Sequence, residues 1–196
     1  ASVSDPNAVN SGNVVLWPVD FSLDAYREVL SADRIWRGYA NTILYASVGS
    51  VLGVSGTLGF AFALSRKEVV GRRALNKLVI FTMVFSGGLI PVFLLVRALG
   101  LYDTRTWMII HNLTTGFWLI IARTFFSSHA EELIESARMD GCSDIQYFVR
   151  IALPISTALI AVMFLLAIVE KWNTYYIPLI YLRRQEKFPL QLVMRT

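Results

Sequence analysis

Charge is scarce in this sequence. Asp, Glu, Lys and Arg make up 16% of its 196 residues, against about 25% in an ordinary soluble domain. That leaves too little polar surface to wrap a water-soluble globule. With 55% of residues apolar, a disordered chain is excluded as well. Cysteine is nearly missing: Cys142 alone rules out an internal disulfide and any multi-cysteine metal site. The chain has no G-x-x-x-x-G-K-[ST], no H-E-x-x-H, no G-x-S-x-G and no carboxylate pair inside an apolar run. It therefore lacks a phosphate cradle, a zinc-peptidase helix and a nucleophile elbow. A net charge of +4 and a pI near 9.4 raise the question of nucleic acid. The basic residues, however, gather where apolar runs end, and no basic helix or aromatic stacking platform accompanies them. What the mean hydropathy of +0.54 leaves is an integral membrane protein.

Four stretches are apolar enough to cross roughly 30 Å of hydrocarbon, which takes about 20 helical residues. They run from Ile43 to Leu64, Leu78 to Leu99, Trp107 to Ile121 or Phe126, and Leu153 to Val169. Unpaired backbone polar groups are not tolerated in lipid, and barrel-type alternation is absent, so each is expected to be a helix and the fold class an all-α polytopic bundle. The linker Ser65–Lys77 carries Arg66, Lys67, Arg72, Arg73 and Lys77 against Glu68 alone. The positive-inside rule places it in the cytoplasm. Alternation then puts residues 1–40, 100–106 and the tail after Trp172 outside, and 127–152 inside. The organisation expected is an extracytoplasmic segment, 1–40, followed by a transmembrane domain, 41–196. Residues 1–40 hold no signal-peptide core, and the expectation is one further span at each end, six in the parent.

Polar and conformationally special residues inside the spans are the candidates for a pathway. Gly87, Gly88 and Pro91 interrupt the second span, as broken transporter helices do, although a packing kink gives the same pattern. His111, Asn112, Thr114 and Thr115 in the third span either line a pathway that offers partners to sugar hydroxyls or hydrogen-bond between helices. No second histidine or carboxylate stands at ligand spacing from His111, so no metal site is expected. Gly49/Gly53 and Ser55/Gly59 form small-xxx-small pairs that let another helix approach closely. Arg183, Arg184 and Lys187 form a basic cluster after the fourth span, read either as a solvated loop or as a contact for an acidic partner.

The segment 127–152 reads as a helix–turn–helix. Ser128 and Glu131 offer a capping box, Asp140-Gly141 a helix stop, and Ser143 with Gln146 a second box. Within it, Glu135-Ser136-Ala137, three residues, Gly141, nine residues and Ile151-Ala152-Leu153-Pro154 follow in sequence. This resembles the EAA loop of ABC-importer permeases at every step, with Ser136 for the first alanine as the one departure. Asn41-Thr42, Ser65-Arg66, Asp140-Gly141-Cys142, Trp172-Asn173 and Pro178-Leu179 are similar to the maltose-type, carbohydrate-importing branch. Ser86 to Pro91 and Gly100 to Thr104 resemble its oligosaccharide and polysaccharide subgroup, which includes alginate permeases.

The resemblance implies a permease subunit, not an enzyme, that passes a carbohydrate through the bacterial cytoplasmic membrane. It implies that the loop is a coupling helix docking on an ATPase, centred on Glu135, Ala137, Asp140 and Gly141. Ile134, Met139 and Cys142 would give apolar contact, and Ile151, Leu153 and Pro154 would close the motif. The implied partners are a second similar permease, two ATPase subunits that hold ATP and magnesium, an extracytoplasmic solute-binding protein, the sugar and membrane lipid. No cofactor is expected in this chain. The alternatives are a permease for a non-sugar solute, a membrane enzyme, or an ion-coupled transporter. The last is disfavoured because Arg97, Arg123 and Glu170 sit near span ends.

Overall fold

The computed structural model describes Ser4, residues 22–128 and residues 131–195. The described residues form an all-helical bundle. Its helices are α1 (Asp24–Ser31), α2 (Asp33–Ser65), α3 (Arg72–Val84), α4 (Leu89–Ala98), α5 (Arg105–Ile110) and α6 (Gly116–Ser127). After these come α7 (Glu131–Met139), α8 (Asp144–Tyr147), a π-helical turn (Phe148–Ala152) and α9 (Leu153–Ile155). The chain ends in α10 (Thr157–Asn173), α11 (Tyr176–Tyr181), a 3₁₀ turn (Gln185–Lys187) and α12 (Leu190–Val193).

Among the described residues, only α2 is a single helix long and apolar enough to cross a membrane. Its 33 residues contain no proline, and at 1.5 Å per residue they extend about 50 Å. The other three predicted spans are broken: the interruption expected in the second at Gly87, Gly88 and Pro91 is there, and the third and fourth are broken as well. α3 and α4 meet at a bend of 114°. Gly88 takes φ 79° there, a left-handed value that suits glycine, and Pro91 sits in the first turn of α4, where its missing N–H costs nothing. The predicted third span is two helices, α5 and α6, separated at 111–115, with Asn112 itself left-handed at φ 54°. The fourth bends by 79° between residues 144–155 and α10. Pro154 cannot donate to a carbonyl one turn back and its ring crowds that turn, and the backbone widens into the π turn just before it. Ser156 closes the bend by donating its Oγ to the Ala152 carbonyl at 2.6 Å.

The bundle is built round α2. Its buried stripe is rich in small and polar residues, Gly38, Asn41, Thr42, Gly49, Ser50, Gly53 and Thr57, beside the apolar Tyr45, Val54, Leu58 and Leu64. Ile43, Val48, Val51, Leu52 and Phe60 are exposed. An apolar exterior of that extent is a liability in water and ordinary against acyl chains. Small residues let neighbours come close. A Cβ on Gly53 would stand 2.5 Å from the Leu113 carbonyl oxygen in the α5–α6 break, and one on Gly116 would stand 2.5 Å from Met83 Cγ of α3. Gly59 meets nothing within 4 Å, so the Ser55/Gly59 pair makes no close approach within the described residues.

The segment after α11 folds back on the first turns of α2. Asn41 donates to the carbonyls of Glu186 and Phe188 at 2.8 and 3.1 Å, the Tyr45 hydroxyl donates to that of Lys187, and Thr42 accepts from the Leu190 amide at 2.8 Å. Asp103 pins the same arm. One carboxylate oxygen accepts from the amides of Arg183 and Arg184, and the other pairs with Arg184 and Lys187 at 3.2 and 3.3 Å. The basic cluster is therefore largely engaged within the chain. Burial alone would raise the Asp103 pKa, but the two amides and the Lys187 ammonium outweigh it and hold it below the ordinary 3.8.

Two outcomes follow from this packing. Gly53→Ala is expected to destabilise the detergent-solubilised protein by about 1–3 kcal/mol, because backbone must move. Gly59→Ala is expected to be neutral or stabilising by up to about 1 kcal/mol; thermal unfolding reads both. The Asp103 contribution is present in full above the unfolded pKa and lost as pH falls through the lower folded value. Acid unfolding below pH 3.8 should therefore be blunted in Asp103→Asn, measured by tryptophan fluorescence against pH.

Candidate functional site

Two regions gather the polar and motif residues: the helical loop at one end of the bundle and a cavity in its flank.

The loop's local structure follows from its turn residues. α7 ends in a Schellman motif. Gly141 takes φ 76°, its amide donates to the Arg138 carbonyl at 3.0 Å, and the Cys142 amide donates to that of Ala137 at 2.9 Å. α8 opens with the reciprocal box expected from sequence: Ser143 Oγ accepts from the Gln146 amide, and Gln146 Oε1 accepts from the Ser143 amide at 2.9 Å. The side chain of Glu131, the partner expected for Ser128 in the other box, lies outside the described residues. Ser128 Oγ donates back to the Phe125 carbonyl at 2.7 Å and so closes α6, while His129 and Ala130 lie outside the described residues.

Side chains of the motif divide by direction. Ala137 is buried, and Ile134, Cys142, Ile151 and Leu153 pack against the same core as Val54, Leu58 and Phe126. Glu135, Met139 and Asp140 face outward, Met139 being 88% exposed and Ile145 beside it 76%. Of the three residues expected to give apolar contact to a partner, two thus serve the internal core and Met139 alone is free. Sequence reasoning missed Ile145.

The loop is clamped to the end of α2. The Arg66 guanidinium lies over the rings of Phe62 and Tyr147 at 4.6 and 4.8 Å and reaches Asp144 at 3.5 Å. Phe62 also stacks on Tyr147 and packs on Phe148 at 4.7 Å between centroids. Arg138 bridges Asp144 at 3.4 Å and Glu68 at 3.0 Å. Glu68's own amide, and then Arg138, hold its carboxyl below the ordinary range. These exposed ion pairs orient more than they stabilise. The aromatic sandwich on Arg66 is shielded and carries more.

The cavity, of about 160 Å³, runs beside α2 between α10 and the α5–α6 break. His111, Asn112 and Thr115 line it. Thr114 does not, but its hydroxyl lies 3.4 Å from that of Thr57, which does. Gly87, Gly88 and Pro91 are exposed in the α3–α4 bend, away from this cavity. Glu170 and Lys171 were missed. They were read as the end of the fourth span, yet α10 runs on to Asn173 and brings both into the wall. Lys171 Nζ donates to the carbonyls of Ile109 and His111 at 3.4 and 3.1 Å, capping α5, and Asn112 donates to Glu170 at 2.9 Å. An ionisable pair in the last turn of an apolar helix was the available signal.

Residues 55–186 match the family described as the binding-protein-dependent transport system inner membrane component. The chain belongs to this family. The permease is a transport component, not an enzyme. It is 39% identical over 195 residues to the polygalacturonan/rhamnogalacturonan transport system permease protein YtcP of Bacillus subtilis (strain 168), covering all of this chain and 68% of that protein. It is 42% identical over 180 residues to protein LplC of the same organism, covering 92% of the permease and 61% of LplC. Its fold matches a chain in the crystal structure of a bacterial ABC transporter involved in the import of the acidic polysaccharide alginate, with a TM-score of 0.94 and 38% identity. That match covers 99% of the permease and 69% of the solved chain.

If the Arg66 sandwich holds the loop to α2, Arg66→Ala should cost about 1–3 kcal/mol locally. Hydrogen exchange of amides in 131–152 should then accelerate while α10 stays protected; equal protection of the loop in both proteins would contradict the clamp.

Proposed function

We propose that the permease is the membrane-spanning subunit of an ATP-driven ABC importer that carries an oligosaccharide, of an acidic kind such as alginate fragments, across the bacterial cytoplasmic membrane. The observation that carries this reading is the loop: a glycine-stopped helix pair, bearing the complete EAA spacing, fixed to the longest helix of the bundle. It presents Glu135, Met139, Asp140 and Ile145 outward. The similarity to YtcP and to the alginate importer supports the sugar.

On this reading the loop lies in the cytoplasm and docks in a cleft of an ATPase subunit. A second, similar permease completes the pore, two ATPase subunits hold the ATP and magnesium, and a binding protein delivers sugar to the opposite face. A rigid-body motion of the ATPase moves the loop, and the Arg66–Phe62–Tyr147 sandwich passes that motion to α2.

Met139→Glu tests it. The side chain is 88% exposed, so the variant should fold and insert normally. ATPase recovery with the tagged permease should fall about tenfold or more, because a charge is placed in an apolar contact. Asp140→Ala should keep the complex but weaken stimulation of ATP hydrolysis by the loaded binding protein. Wild-type recovery and wild-type stimulation in both variants would remove the loop from coupling.

A further inference from the structure

We infer that the cavity beside α2 contains a carboxylate subsite, in which the Lys171 ammonium and the Ser50 hydroxyl recognise an acidic sugar unit. The inference rests on the sugar-permease reading above and names the residues of this chain that would tell an acidic sugar from a neutral one.

The cavity follows α2 from Thr42 to Thr57, about 22 Å at 1.5 Å per residue. Lys171 lies directly over Gly49, where a Cβ would stand 2.9 Å from its nitrogen, so the glycine is what leaves room for the ammonium. Two of the three ammonium protons are directed to the carbonyls of Ile109 and His111. Among the described residues no carboxylate forms an ion pair with it, and neighbouring Glu170 is turned to Asn112. Glu170 in the same wall attracts the ammonium but makes no direct ion pair with it, so a carboxylate ligand would be the first to contact this partly buried cation.

Ser50 gives an independent observation. It follows Gly49 on the same buried stripe, is 0% exposed, lines the cavity, and its Oγ has no hydrogen-bond partner among the described residues. Buried hydroxyls without partners are uncommon in folded proteins, and a group inside the cavity can supply the partner. A free N–H⁺ and a free O–H in one wall complement an ionised carboxylate, which only accepts. A neutral sugar would satisfy Ser50 but offer no charge to the ammonium. Trp118 and Tyr45 add ring faces against which a pyranose can lie.

The test uses the full-length permease in its assembled complex, reconstituted in vesicles with its ATPase and binding protein. Uptake of a short oligouronate is compared with uptake of the same oligosaccharide after its carboxyls are reduced to primary alcohols. The binding protein is common to every permease variant, so a change in the uptake ratio belongs to the permease. Lys171→Gln should lower the ratio of acidic to reduced sugar by about tenfold. Ser50→Ala deletes a group that has no protein partner and so leaves the fold intact; it should lower oligouronate uptake about three- to tenfold. The subsite is overturned if Lys171→Gln slows both sugars by the same factor, which would leave the lysine only its capping of α5. It is equally overturned if Ser50→Ala takes up the oligouronate at the wild-type rate. A wild-type complex that takes up neither sugar would reject the sugar-permease reading itself, and the subsite with it.

Discussion

Lys171 reaches from α10 to the last carbonyls of α5, and that contact states the constraint under which the whole bundle is built. Hydrocarbon offers no water to a backbone group set free by a broken helix. Yet the chain breaks its apolar runs at 85–88, at 111–115 and at Ser156. The α5–α6 break is held by Lys171 and by Asn112 bonded to Glu170, and the last by Ser156 on Ala152. The returning arm after α11 is held by Asn41, Thr42, Tyr45 and Asp103 on its carbonyls and amides. The polar side chains in this apolar protein are largely partners for backbone. Among the described residues the Ser50 hydroxyl is one of a few buried polar groups without such a partner, and it is one that lines the cavity.

The same constraint explains the composition of α2. Its neighbours are irregular, so they must come close, and closeness requires glycine, serine and threonine on the buried stripe. Gly53 admits the Leu113 carbonyl and Gly49 admits the Lys171 side chain. Towards its other end the same helix buries Val54, Leu58, Ala61 and Leu64, while Ile43, Val48, Val51, Leu52 and Phe60 face outward, so apolar residues occupy both faces. At its far end α2 meets the loop through Arg66, Phe62 and Tyr147, so one stiff element joins the loop to the cavity.

How much of this was legible depends on the range of the interactions involved. The Gly141 stop and the Ser143–Gln146 box are written within four residues and were read correctly from them. The all-helical class and the apolar runs follow from composition. The break at 111–115 was not visible, because it contains neither glycine nor proline and its partner Lys171 lies 60 residues away. Gly87, Gly88 and Pro91 marked a break, read as a pathway feature or a packing kink, and the break is there, in an exposed bend apart from the cavity. The pair Glu170–Lys171 was visible as charge, but its depth depended on where α10 ends.

The central claim is that the loop and α2 form one mechanical unit. A distance between spin labels at Ile145, exposed on the loop, and Leu52, exposed midway along α2, tests it most directly in the assembled transporter. Pulsed electron resonance in the nucleotide-free and ATP-trapped states should give the same Ile145–Leu52 distance distribution in both. A distribution that shifts or splits between the two states would show that the loop moves independently of α2 and would contradict the account.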